Sequence, residues 1–205
     1  GWGNSDYHAL RARATQRPCR FFPVSYTCPS GGGLEEPGLA GPLTFIGSGE
    51  VSAGMVKVHR SLLALLPDPE RAVFVGTPAG FELGLEAIED RFREFVEGRL
   101  GLPMEVARYR GTADDTRTIA AAVAAVDAAN YILAGPGSPT YAVRQWQGSA
   151  VYQAMLRRWQ AGAVLVLASS AAIAASRYTL PVYEIYKVGL DLHWQTGLDL
   201  LGPLG

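Results

Sequence analysis

Short apolar runs alternate with amphipathic stretches along the chain from residue 43 onward. Runs that are apolar throughout are typical of strands that are buried on both faces of a sheet. They predict five strands, at residues 43–47, 72–76, 104–109, 131–134 and 163–168. Between these runs apolar residues recur three and four positions apart, which predicts helices at residues 53–66, 81–96, 116–129 and 141–160.

Strands that alternate with helices in this way form parallel sheets with right-handed crossover connections. We therefore predict an α/β fold with a doubly wound, mostly parallel sheet and helices on both faces, a flavodoxin-like three-layer sandwich. Sheets of this kind bind ligands beyond the carboxyl ends of their strands. The residues that follow each predicted strand are therefore the place to search for chemistry.

The first 41 residues differ from the rest of the chain. Four arginines fall within residues 11–20, and glycine and proline are frequent from residue 29 to residue 42. Glycine and proline at that density interrupt regular structure. We predict an irregular N-terminal extension over residues 1–41 and one α/β domain over residues 42–205, truncated at its C-terminus. The arginines leave open a basic arm for an anionic partner, although we favour a loose leader.

The composition is that of a globular protein with a hydrophobic core. Of the 205 residues, 48% are hydrophobic and 18% are charged, and the formal net charge is −1. A near-neutral chain lacks the basic surface of a dedicated nucleic-acid binder. No apolar run reaches the roughly 18 residues of a membrane span, and the N-terminus does not read as a signal peptide. We expect a cytoplasmic protein that binds neither nucleic acid nor membranes; the sequence leaves its oligomeric state open.

The cysteines and histidines do not form a metal-binding pattern. Cys19 and Cys28 both precede the first predicted strand, and we expect them to be free thiols. His8, His59 and His193 are widely separated in the sequence, and neither an H-E-x-x-H nor a C-x-x-C motif is present. We therefore predict no metal and no cofactor.

Three predicted strands end in small or polar residues, at residues 47–50, 135–140 and 168–172. The first loop could cradle a phosphate, but it lacks the glycine pattern of a dinucleotide site and the lysine of a Walker loop. The third has the small-x-Ser-x-small pattern of a nucleophile elbow around Ser170, with Ala168 and Ala172 as the small neighbours. A small-residue helix packed on a sheet would give a similar pattern.

Read together, these three loops resemble the alpha-aspartyl dipeptidase and cyanophycinase family of serine peptidases, which have a class I glutamine amidotransferase-like fold. The resemblance covers about residues 43–205. It implies a nucleophile at Ser170 and an oxyanion hole formed by the amides of Gly137 and Ala171. Glutaminases of this fold carry a cysteine at the elbow, so the serine argues against that chemistry.

The chain departs from the family pattern in two ways. Alanines at 168 and 172 replace the glycines that flank the family's nucleophile. In addition, the family's catalytic histidine is expected soon after the segment at residues 197–201, which places it beyond residue 205 and implies little hydrolytic activity for this chain. His193 is a substitute candidate for the general base, although a packed or surface role is the interpretation we favour. His59 is expected to be structural or solvent-facing.

A further segment, at residues 180–189, alternates polar and apolar residues, which favours an edge hairpin with one solvated face. Glu184 in this segment, together with Ser138 and Thr140 after the fourth strand, could instead contact a substrate. We therefore take these three residues as candidate substrate-binding residues.

The resemblance thus implies a serine hydrolase that cleaves an amide or peptide bond in a small substrate. The alternative is a non-catalytic α/β module that binds a small anion or a partner protein, which the alanines and the missing histidine favour. A nucleotide-binding protein that uses residues 47–50 is a third interpretation.

Overall fold

The computed structural model describes residues 40–202, so the predicted extension over residues 1–41 lies almost entirely outside the described residues. Five parallel strands form one sheet in the order β1-β5-β4-β2-β3. Their bounds are Leu43–Ile46 (β1), Ala72–Val75 (β2), Met104–Ala107 (β3), Tyr131–Ala134 (β4) and Val164–Ala168 (β5). The predicted doubly wound α/β fold with a parallel sheet is therefore confirmed.

Seven α-helices accompany the sheet in the described part of the chain. They are α1 (Val56–Leu63), α2 (Leu85–Phe95), α3 (Thr116–Asp127), α4 (Pro139–Trp146), α5 (Ala150–Gln160), α6 (Ser170–Ala174) and α7 (Val182–Val188). Short 3-10 turns cover Ala53–Met55 and Thr77–Ala79, a π-helical turn at Val96–Leu100 extends α2, and β6 (Tyr178–Thr179) pairs antiparallel with β7 (Gln195–Thr196). Within residues 40–202, none of the helices has the length and hydrophobicity needed to cross a bilayer.

The three central strands are buried along their whole length, which is the reason that their sequences are apolar without alternation. Alternate residues of each strand point to opposite faces of the sheet, so the core divides into two clusters. One contains Val73, Ile132 and Leu165 and packs against α3, α4 and α5. The other contains Phe74 and Leu133 and packs against α1 and α2. Helices therefore cover both faces of the sheet.

The helix predicted over residues 141–160 is two helices in the structure. Gly148 has φ 74°, a left-handed conformation that ends α4, and the Ser149 hydroxyl accepts a hydrogen bond from the amide of Tyr152 at the start of α5. The apolar positions keep nearly the same spacing across this break, so periodicity alone did not locate it.

The hairpin favoured for residues 180–189 was wrong, because α7 occupies Val182–Val188. No residue of α7 is buried, and Tyr186 is 88% exposed. The alternation of polar and apolar residues in this segment resembles that of a strand with one buried and one solvated face. In the structure it belongs to a surface helix that packs through few side chains.

The side chain of His59 in α1 is fully buried. Its Nε2 lies 2.7 Å from the carbonyl oxygen of Glu50, and its Nδ1 lies 2.7 Å from the hydroxyl of Tyr131. A carbonyl oxygen can only accept, so Nε2 carries the proton and Nδ1 accepts from Tyr131. The structural role expected for His59 agrees with these contacts. Burial lowers the pKa of His59 below its ordinary value.

The buried His59 predicts that the protein loses stability in mild acid. Because its folded-state pKa is lowered, the unfolded chain takes up the proton first as the pH falls below about 6.5. The free energy of unfolding should therefore fall between pH 7.5 and pH 5.5 by up to about 1.4 kcal/mol per pH unit from this group. Urea unfolding of the wild type and of His59→Gln, which cannot titrate, measures the difference. Parallel pH profiles for the two proteins would contradict this assignment.

Candidate active site

The carboxyl ends of β2, β4 and β5 lie side by side at one edge of the sheet. The chain winds outward from β2 to β3 in one direction and from β4 to β5 in the other, so the winding direction changes between β2 and β4. Ligand sites of doubly wound sheets lie at this change of direction. The loops that meet there follow β2 at residues 76–80, β4 at residues 135–138 and β5 at residues 169–170.

Ser169 forms the sharp corner between β5 and α6. It has φ 52° and ψ −119°, a conformation that non-glycine residues rarely adopt and that costs about 1–3 kcal/mol. Its amide donates to the carbonyl of Ile46 at 2.8 Å, and its carbonyl accepts from the amide of Ile173 at 3.1 Å. A strained serine held between a strand and a helix is the geometry of a nucleophile elbow. The Ser169 residue is partly exposed.

Ser170, for which the pattern predicted an outward-facing hydroxyl, points inward. Its residue is 4% exposed, and its Oγ donates a hydrogen bond of 2.5 Å to the carbonyl oxygen of Gly137. The strained backbone corner therefore lies at Ser169, one residue before the serine at which the pattern predicted it. Both serines have small neighbours, so the small-x-Ser-x-small pattern can be aligned on Ser170. Only the backbone conformation shows that the strained corner is at Ser169. Ala171, the predicted second oxyanion residue, is buried in α6.

The loop after β4 packs closely against the loop after β2. Gly137 has φ 142°, and a Cβ atom at this position would overlap the carbonyl group of Pro78. The next amide, that of Ser138, donates to the same carbonyl oxygen at 2.8 Å. Only glycine allows this approach, which brings the Gly137 carbonyl to the Ser170 hydroxyl. Whether Gly137 contributes to an oxyanion hole stays a prediction.

The three predicted substrate-binding residues lie together in the structure. Oε1 of Glu184 accepts hydrogen bonds from the hydroxyls of Ser138 at 2.6 Å and Thr140 at 2.7 Å. Burial alone would raise the pKa of Glu184, but these two hydrogen bonds, together with a backbone hydrogen bond and the charge of Arg144, lower it below its ordinary value. Glu184 and Thr140 also line a cleft of about 370 Å³, with Arg144 and Gln195 on its wall. Their contact with a substrate stays a prediction.

The two histidines of the described residues are occupied elsewhere. His193 is exposed, and its ring nitrogens lie 2.8 Å from the carbonyl of Asp191 and 2.8 Å from the amide nitrogen of Gln195. His59 is buried between Glu50 and Tyr131. In residues 40–202, neither histidine shares a hydrogen bond with Ser169 or Ser170, and no three side chains of His, Cys, Asp or Glu are grouped to hold a metal ion.

No protein-family model matches the chain, and no curated protein matches it at a significant level. Several solved structures share its fold, and two of them are described as peptidases. A peptidase from an acI-B1 actinobacterium superposes with a TM-score of 0.67 at 21% identity, over 80% of this chain and 66% of that one. A protein proposed to be a peptidase E from Listeria monocytogenes EGD-e superposes with a TM-score of 0.52 at 15% identity, over 80% and 76% of the two chains.

The chain thus spans just under two thirds of the length of the actinobacterial peptidase. At identities this low the likeness establishes a shared fold. Both neighbours are peptidases by description, and the fold is the one that the sequence pattern predicted.

The close approach at Gly137 predicts a site-specific loss of stability. Gly137→Ala places a methyl group against the Pro78 carbonyl, so we expect the free energy of unfolding to fall by about 2 kcal/mol or more. Gly148→Ala is the matched control, because Gly148 also has positive φ but has open space around it, and it should lose only about 1 kcal/mol. Urea unfolding measures both. Equal losses would show that crowding at Pro78 does not matter.

Proposed function

We propose that this protein is a hydrolase of amide or peptide bonds that uses a serine nucleophile at the strand–helix corner. The backbone conformation of Ser169 carries the proposal, because strain of about 1–3 kcal/mol persists in a fold only where the surrounding structure enforces it. The place of this residue at the end of β5, next to the loop after β4 that borders the switch point, supports the assignment. The peptidase descriptions of the two fold neighbours support the amide-bond class.

The proposed nucleophile is Ser169 rather than Ser170. The Ser170 hydroxyl already donates its single proton to the Gly137 carbonyl, and the residue is buried. In the proposed reaction the Oγ of Ser169 attacks the carbonyl carbon of a substrate amide while a base takes its proton. That proton then passes to the departing amine, and water hydrolyses the acyl ester. In this proposal the amide of Ser170, the residue after the corner, donates to the developing oxyanion.

The proposed reaction needs a base that the described histidines do not supply, since His59 and His193 are both committed to other hydrogen bonds. A serine hydroxyl without a base is a weak nucleophile near neutral pH. We therefore propose that this 205-residue chain reacts slowly at Ser169 and that a soluble base can replace part of the missing function. Imidazole is the natural choice, because its protonation range covers neutral pH.

The test is labelling with a fluorophosphonate probe, with and without imidazole, followed by mapping of the modified residue. We expect slow labelling at Ser169 that imidazole accelerates by at least about tenfold, since a positioned general base contributes about 100-fold or more. Ser169→Ala should abolish labelling. Ser170→Ala is the matched control, because it keeps the Ser169 hydroxyl and removes only the neighbouring hydroxyl with its bond to the Gly137 carbonyl, and it should still be labelled at Ser169, at a reduced rate.

Loss of labelling in Ser170→Ala, with retention in Ser169→Ala, would return the nucleophile to Ser170. Absence of labelling in the wild type, even with imidazole, would contradict the hydrolase proposal. That result would favour the second candidate, a non-catalytic α/β module. The observation in its favour is that neither described histidine is available to the corner serine.

A further inference from the structure

Helix α7 attaches to the site through a few polar and aromatic contacts. None of its residues is buried. The Tyr183 hydroxyl donates to the carboxylate of Glu82 at 2.7 Å, and the Tyr183 ring packs edge-on against Phe81 with centroids 5.0 Å apart. The remaining polar attachment is Glu184, one residue further along the helix. Because so little apolar area holds α7, these few contacts decide where it lies.

Glu184 fixes the loop after β4 at two points. Ser138 and Thr140 both donate to the same oxygen of Glu184, at 2.6 and 2.7 Å. The Ser138 hydroxyl in turn accepts from the amide of Tyr141 at 3.0 Å, which begins α4. A hydroxyl has one proton, so its donation to Glu184 leaves only its lone pairs for Tyr141. The carboxylate therefore sets the rotamers of both hydroxyls and, through Ser138, the start of α4.

A continuous series of short contacts leads from Glu184 to the corner serine. Ser138 is held by Glu184 through its side chain and by the Pro78 carbonyl through its amide. The adjacent Gly137 presents its carbonyl to the Ser170 hydroxyl at 2.5 Å. Ser170 directly follows the strained Ser169. Every link between the surface helix and the corner is thus a hydrogen bond of 2.8 Å or less, or a covalent neighbour.

We propose that Glu184 is a positioning residue of the site: its carboxylate holds residues 137–140 so that Gly137 keeps Ser170, and hence the Ser169 corner, in place. This inference rests on the proposed function of Ser169. It differs from substrate binding, because Glu184 acts through the loop and need not touch a substrate. Bonds to an ionised acceptor are stronger than neutral ones, and the lowered pKa of Glu184 keeps it ionised at neutral pH.

A conservative variant separates positioning from direct electrostatic action. In Glu184→Gln the amide oxygen can still accept both hydroxyl protons, whereas the negative charge is lost. Glu184→Ala removes the carboxylate and with it the acceptor of both hydrogen bonds. Tyr183→Phe is the matched control on the same helix, because it breaks the bond to Glu82 and leaves Ser138 and Thr140 bonded to Glu184.

Two measurements are made on the full chain of each variant. Amide hydrogen exchange at Gly137, Ser138, Thr140 and Tyr141 measures how firmly the loop is held and does not depend on any reaction, whereas the prolines at 136 and 139 have no amide hydrogen. The rate of fluorophosphonate labelling at Ser169 in the presence of imidazole reports how well the Ser169 hydroxyl is positioned for reaction. We expect Glu184→Ala to accelerate exchange in this segment at least about tenfold and to slow labelling by about tenfold, as small displacements in a site cost up to 100-fold. Glu184→Gln should stay within about threefold of the wild type in both measurements, because its amide oxygen still accepts both hydroxyl protons, although a neutral acceptor makes weaker bonds than a charged one.

The proposal would be overturned if Glu184→Ala showed the same rates of hydrogen exchange and labelling as the wild type. Labelling that falls as far in Glu184→Gln as in Glu184→Ala would also overturn it, since the charge itself would then act at the site. If Tyr183→Phe accelerated hydrogen exchange in the loop as much as Glu184→Ala does, the hold on the loop would belong to α7 as a whole and not to Glu184. If the wild type is not labelled at all, the function of Ser169 fails, and hydrogen exchange still decides whether Glu184 holds the loop.

Discussion

The close approach of the β2 and β4 loops sets the geometry of the whole candidate site. The Pro78 carbonyl occupies the space that any side chain at residue 137 would need, so glycine at that position allows the loop after β4 to cross it. The same carbonyl accepts the amide of Ser138, and the Gly137 carbonyl then meets the Ser170 hydroxyl. The strained turn at Ser169 is held from one side by this contact and from the other by the bond of its amide to Ile46.

Burial explains why the sheet could be predicted from the sequence. Strands β2, β4 and β5 are covered on both faces, and their apolar runs leave little choice of structure or neighbours. The loop at residues 135–140 also meets the turn after β5, because loops that follow neighbouring parallel strands share one edge of the sheet. The contact of Glu184 with Ser138 and Thr140 was not predicted, since 46 and 44 residues separate the acid from them along the chain.

The strained corner lies one residue before its predicted position because sequence patterns carry little information about a single backbone torsion. In the series Ala168, Ser169, Ser170, Ala171 the small neighbours suit either serine, and the difference lies in φ and in which hydroxyl finds a carbonyl. Helix α7 was missed for a related reason. Its residues alternate in polarity but do not pack against a neighbouring face, so the period of two reflects no buried side. The adjacent Gly148 and Ser149 are typical of a helix end followed by a helix start, but the regular spacing of apolar residues obscured this signal.

The central claim, that Ser169 is the reactive hydroxyl of a strand–helix elbow, is tested most directly by a crystal structure of the chain with an arylboronic acid. Boronic acids form a covalent tetrahedral adduct with a nucleophilic serine, and the adduct shows which oxygen is bonded. We expect continuous density from the Oγ of Ser169 to boron, with φ of Ser169 positive and Ser170 still bonded to the Gly137 carbonyl. Density on Ser170, or a Ser169 in ordinary helical or extended conformation with no adduct, would contradict it.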